Sequence, residues 1–309
     1  MAALNPQDEF IHPTGTDESW REAFYFDFYD PRTKLAAFGY SGVHPNQETG
    51  DVIFALWRGD VLLAKYTRWD LNIPREIGEE RLDFGPLAFR PIDPYKKWRM
   101  FYDDGAARVD LTFDAIHPAY NWGQSHAALA QTNSHHYEQQ GRYSGAIRVA
   151  GERHDVTGIG ARDHAWGWGA RAGIRRWVWA SAQFSERFAW NMFQITLADQ
   201  REIHYGYIYR GGENILLRRS HAQLSYAEMG KAPESGAFAL EAVNGDKVQA
   251  SCRMLNAFNT SHQERNKTGF HYFSHSEFQC EGQTGYGQTN VHWRLEGDRP
   301  KDWGIITGK

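Results

Sequence analysis

The feature that most constrains this chain is a two-residue alternation of apolar and polar side chains. From Ala107 to Ala115, the residues Ala107, Val109, Leu111, Phe113 and Ala115 alternate with Arg108, Asp110, Thr112 and Asp114. Successive strand side chains point to opposite faces, so this pattern buries one face of an antiparallel strand and wets the other. The period recurs. Phe24, Phe26 and Phe28 share one face, and Tyr25, Asp27 and Tyr29 the other. Residues 52–58 and 61–69 flank Gly59-Asp60, a two-residue hairpin turn. Segments 174–184, 187–197, 202–210, 238–243, 247–255, 270–280 and 285–295 read the same way. Roughly 16 such segments, spaced as in sandwiches and barrels, predict an all-β fold. No window carries a capped helical stripe.

A single barrel of that many strands would enclose a water-filled lumen, so two smaller antiparallel barrel or sandwich halves, packed together, fit better. The length of 309 residues suits two domains. Glycine is frequent over 141–160, which places the junction there. The expected domains are 1–150 and 151–309.

Lys plus Arg (34) nearly balance Asp plus Glu (38), for a net charge of -4. That excludes the basic field a nucleic acid partner requires. Aromatic residues make up 15%, with 12 Trp, enough to fill a β core and to line a site for an apolar small molecule. The N-terminal residues include acids and no apolar signal core, and no run reaches the ~20 apolar residues that span a bilayer. Cys252 and Cys280 have neither CxxC nor metal spacing, although one bridge between them stays open. A reducing, cytoplasmic setting is expected, without a transmembrane segment and with room for a homodimer.

Chemistry concentrates in Thr157-Gly158-Ile159-Gly160-Ala161-Arg162-Asp163-His164-Ala165-Trp166-Gly167-Trp168-Gly169. Glycines in a strand mark bulges or close backbone approach, and both re-aim side chains. This segment therefore puts a guanidinium, an acid, an imidazole and two indoles on an irregular strand. An Arg–Asp ion pair with core tryptophans is the structural alternative. No metal is predicted: His271-x-x-x-His275 has helical ligand spacing but sits on a strand, and His135-His136 offers no third ligand. No dinucleotide loop, phosphate loop or serine nucleophile elbow is present.

The run Gly158-x-Gly160-x-Arg162-Asp163-His164-x-Trp166-Gly167 resembles the signature of the carotenoid 1,2-hydratase (hydroxyneurosporene synthase) and lipocalin-like family. The segments His136-Tyr137-Glu138-Gln139, Gly141-Arg142-Tyr143-Ser144-Gly145 and Glu22-x-x-Tyr25-x-x-Phe28-Tyr29-Asp30 are similar to it too. The resemblance implies two consecutive calycin-like barrel halves, with the signature opening the second. It also implies an isoprenoid-like or polycyclic apolar substrate, turned over by a hydratase, cyclase or isomerase.

Water addition to an unactivated C=C begins with protonation, which calls for a carboxylic acid kept neutral by desolvation. Asp163 is the candidate donor, and His164 would orient it, relay the proton or activate water. Were Asp163 paired with Arg162, it would be ionised and His164 the better catalyst. Trp166 and Trp168 would stabilise cationic charge, with Arg162, Glu22, Tyr25, Tyr137, Asn191 and Gln194 as further substrate contacts. No cofactor is expected. The second reading is a non-catalytic binding or transport protein for an apolar ligand.

Overall fold

The computed structural model describes residues 4–73, 82–124, 134–168, 174–228, 231–260, 269–296 and 299–300. The side chains of 70, 124, 134, 168, 269, 295, 296, 299 and 300 lie outside that description. The chain divides into two units, Met1–Ala170 and Arg171–Lys309.

The first unit is built from β1 (Trp20–Asp30), β2 (Leu35–His44), β3 (Thr49–Arg58), β4 (Val61–Asn72), β5 (Asp83–Phe84), β6 (Leu87–Asp93), β7 (Lys97–Asp103), β8 (Ala107–Ala115), β9 (Tyr120–Asn121), β10 (Ser134–Val149) and β11 (Glu152–Trp168). They form one curled sheet in the order β4-β3-β2-β1-β11-β10-β8-β7-β6-β5, with β9 beside β10. Its core includes Phe24, Phe26, Phe28, Phe54, Trp98, Tyr102, Phe113 and Tyr143.

The second unit follows with β12 (Ile174–Gln183), β13 (Phe188–Leu197), β14 (Glu202–Arg210), β15 (Glu213–Ser225), β16 (Ser235–Ala242), β17 (Lys247–Met254), β18 (Phe258–Asn259), β19 (Gly269–Cys280), β20 (Gln283–Glu296) and β21 (Arg299–Pro300). Pairing of β19 with β20 closes β19-β17-β16-β15-β14-β13-β12-β20 into an 8-strand barrel. Trp190, Trp293, Phe238 and Phe278 fill it, as side chains must in a barrel of that size.

The alternation at 107–115 is β8, and its apolar residues do face the core. Gly59-Asp60 joins β3 to β4, with Gly59 at φ 64°. One expectation is corrected. The glycine-rich stretch 141–160 is no domain junction. It is the β10–β11 hairpin, turning at Ala150-Gly151 with φ of 53° and 80°, the left-handed pair that a two-residue turn requires. Because β11 pairs with both β1 and β10, the Arg162–Gly167 segment closes the first unit instead of opening the second. Cys252 and Cys280 are free thiols. Among the described residues, no helix is long and apolar enough to cross a membrane.

Candidate functional site

Strands β10, β11 and β1 lie side by side at the centre of the first sheet, and their register sorts the signature residues onto two faces. Arg162 stands opposite Gln139 and Phe26, His164 opposite Tyr137 and Phe24, and Trp166 opposite His135 and Glu22. These share the face of the aromatic core. Asp163 stands opposite Glu138 and Tyr25 on the other face, where Asp27, two residues along β1 from Tyr25, also points. Neighbours on a strand point apart, so Asp163 is not the partner of Arg162.

The partner of Arg162 comes from the N-terminus. Asn5 caps the 3-10 turn Pro6–Glu9 by accepting from the Gln7 amide, and Pro6 presets the first turn. The turn carries Glu9 into the core, where it is fully buried. Its Oε1 accepts from Tyr137 Oη at 2.6 Å and from Arg162 Nη2 at 2.9 Å. Its Oε2 accepts from the Tyr95 amide at 3.0 Å and from the Trp98 indole. Burial pushes the Glu9 carboxyl up, but the Arg162 charge, the Tyr137 hydroxyl and the Tyr95 amide together hold it below its ordinary value. Arg162 also donates to the Tyr137 and Gln139 side chains, and its guanidinium lies 5.0 Å from the Trp98 ring. A guanidinium so enclosed ties the N-terminal turn to β10 and β11.

His164 is equally enclosed. Its Nδ1 lies 2.8 Å from the Asp8 carbonyl, which can only accept, so Nδ1 carries a proton. Its Nε2 lies 2.7 Å from Glu22 Oε1. His12 reaches the same oxygen through Nδ1 at 2.8 Å, while its amide donates to Glu22 Oε2 at 2.9 Å. Burial raises the Glu22 carboxyl, yet the two imidazoles bring it below its usual value. Phe24 stacks on His164 at 4.0 Å and Trp166 on His12 at 4.1 Å. Trp166 therefore packs against protein rings on this face. The side chain of Trp168 lies outside the described residues.

The opposite face has different electrostatics. Asp27 is buried, and the Ala161 amide donates to its Oδ1 at 3.2 Å. Desolvation pushes its carboxyl up to about 8. The Asp163 charge adds to the shift, while the Ala161 amide and the Tyr25 hydroxyl oppose it. Burial thus favours the protonated form of Asp27. Its strand can approach β11 so closely because residue 160 is glycine: a Cβ there would stand 2.0 Å from the Asp27 carbonyl oxygen. Asp163 is 19% exposed, with His136 3.7 Å from its carboxylate. His136 also lies 3.4 Å from the buried Glu138 and stacks on Trp122 at 3.7 Å. Tyr25 is buried on this same face.

Asn191 and Gln194 belong to β13 of the second unit and point to its opposite faces. Asn191 is buried. Gln194 donates to Glu202 and accepts from the Ala222 amide, which closes off its amide group. The residues that sequence reasoning missed are Glu9, His12 and Asp27; Glu138 and Gln139 stood within a segment that carries the family resemblance. Only Asp27 carried a usable signal, as the acid inside the aromatic alternation of β1.

No curated protein sequence matches the chain at a significant level. Solved structures do. Kievitone hydratase from Nectria haematococca is similar, with a TM-score of 0.66 at 12% identity, covering 88% of both chains. A putative AttH from Nitrosomonas europaea matches with a TM-score of 0.66 at 16% identity, over 97% of this chain and 98% of that one. CghA with Sch210972 matches with a TM-score of 0.62 at 12% identity, over 90% and 89%. Likeness at such identity carries the fold, and the fold agrees. The family model described as Domain of unknown function (DUF7064) matches residues 5–295, so the chain belongs to that family.

Proposed function

We propose that the chain is an acid–base enzyme of the hydratase, cyclase or isomerase type, acting on an apolar small molecule. The observation that carries this reading is Asp27: a buried carboxyl, pushed up to about 8 by desolvation, on the strand beside the partly exposed Asp163. A carboxyl raised by burial, with the charge of a second carboxyl adding to the shift, is a candidate proton donor. Among the described residues no cation pairs with Asp27, and a buried acid kept without one costs stability, which favours a functional reason for keeping it.

In this reading the Asp27–Asp163 pair delivers a proton to a C=C bond. The π electrons form the new C–H bond, leaving a carbocation and a second carboxylate. Water then captures the cation and returns a proton. In a cyclase a second alkene captures it, and in an isomerase a neighbouring C–H proton goes back to the carboxylate. Tyr25 and His136 flank the pair and would hold it in place. His164 and Arg162, enclosed on the other face, keep β11 in position. The hydratase named among the structural relatives supports the reaction class. The motif resemblance to carotenoid hydratases supports an isoprenoid-like or polycyclic substrate.

Deuterium uptake tests the proposal. The small molecule that co-purifies with the chain is extracted, identified by mass spectrometry and returned to the protein in D2O. The expected product carries deuterium on carbon, and Asp27→Asn and Asp163→Asn abolish the uptake with an unchanged circular dichroism spectrum. A ligand that binds and is recovered unlabelled would make the chain a binding protein.

A further inference from the structure

The His12, Glu22 and His164 cluster has a geometry that the acid–base reading does not use. The three side chains come from separate pieces of chain: the N-terminal segment, β1 and β11. One ligand-type atom from each lies within 4.8 Å of the other two. Nδ1 of His12 and Nε2 of His164 converge on the same oxygen of Glu22. The outward nitrogen of each imidazole faces an oxygen of Asp8: the carbonyl at 2.8 Å for His164 and the carboxylate at 3.5 Å for His12. Metal-ligating histidines are held in this way, with the far ring nitrogen engaged by an outer carbonyl or carboxylate that fixes the ring and its tautomer.

We infer that His12, Glu22 and His164 form a site for a divalent transition-metal ion, most suitably Zn2+, which clips the N-terminal segment onto the first sheet. Two imidazole nitrogens and one carboxylate suit Zn2+ and its first-row neighbours and do not suit Mg2+ or Ca2+. Three protein ligands leave a fourth position for water. Ligand atoms around a tetrahedral zinc stand about 3.3 Å apart, given the usual bond lengths. The two imidazole nitrogens therefore move outward by about half an ångström from their hydrogen-bonded positions. His12, at 16% side-chain exposure on a terminal segment, has the freedom to do so. The same segment carries Glu9, so an ion at this site also holds Glu9 against Arg162.

The test uses the full, untagged chain, stripped with a chelator and titrated with Zn2+ and Co2+. The expected result is one equivalent bound per chain, a tetrahedral Co2+ absorption band, and a rise in Tm that chelation reverses. His12→Ala, which removes the one partly exposed ligand of the three, should keep the fold and weaken binding by more than the roughly 10- to 100-fold typical of losing an outer partner. Glu22→Gln should do the same, and His154→Ala, remote on β11, should bind as the parent does. The absence of saturable one-equivalent binding would overturn the inference, as would binding that survives His12→Ala. Either result leaves the Asp27–Asp163 proposal untouched, because that pair lies on the other face of the strands.

Discussion

At the residue scale, two buried acids have opposite fates. Glu9, on the N-terminal turn, has four donors, one of them a guanidinium, and Asp27, on β1, has an amide and a hydroxyl. Their contributions to stability therefore run in opposite directions with pH. The folded-state value of Glu9 is depressed, so its contribution is full above the ordinary carboxylate range and is lost as pH falls through the lower folded value. Asp27 is raised to about 8 from 3.8, so between those values the unfolded chain ionises while the folded chain does not. Stability falls as pH rises across that window. Asp27→Asn should accordingly stabilise the protein, by an amount that grows from pH 4 to pH 8 and then levels. Urea unfolding at several pH values checks this, and a pH-independent effect would remove the neutral acid from the mechanism. Arg162→Met strands the Glu9 carboxylate in the core and should cost about 3–5 kcal/mol. The Glu9→Gln, Arg162→Met double variant should recover part of that loss, measured by the same unfolding titration.

At the element scale, β11 is positioned by what it lacks as much as by what it carries. Gly160 lets β1 come close enough to bury Asp27 against the Ala161 amide. Gly160→Ala must push the two strands apart and should cost about 1–3 kcal/mol, as overpacking does. Water admitted to Asp27 should then draw its titration back toward the ordinary carboxylate range, which the carboxyl NMR shift of Asp27 would report. The N-terminal 3-10 turn is the second element that matters. It brings Glu9 and the Asp8 carbonyl to residues more than 150 positions away in sequence. Removing residues 1–12 should lower Tm at least as much as Arg162→Met, since it takes Glu9 from Arg162 and His12 from Glu22.

At the scale of the whole molecule, the chain is two β units, one a curled open sheet and one a closed barrel. Aromatic side chains fill the barrel, so its interior is core, which disfavours a lipocalin-like lumen in that unit. Both thiols lie in it, on β17 and β19. Burial pushes Cys252 up to about 12 and Cys280 to about 11, so neither is a reactive thiolate at neutral pH. Alkylation should be negligible in the native protein and should follow the opening of the second unit in urea. A reductant should leave Tm unchanged. Mass spectrometry after iodoacetamide pulses reads both outcomes, and a reductant-sensitive Tm would point to a disulfide instead.

The β class and most strand positions were legible in the sequence, because side-chain alternation is a local property that every strand must satisfy. The same alternation already separated Arg162 from Asp163, once β11 is known to be a regular strand. The domain boundary was misplaced because glycines that serve close strand packing look like glycines that mark a linker. Partners were not legible at all. Whether Arg162 meets Asp163 or Glu9, and which acid is kept neutral, depends on which strands become neighbours and on a turn far away in sequence. Desolvation and charge pairing act through space, so only the tertiary structure decided them.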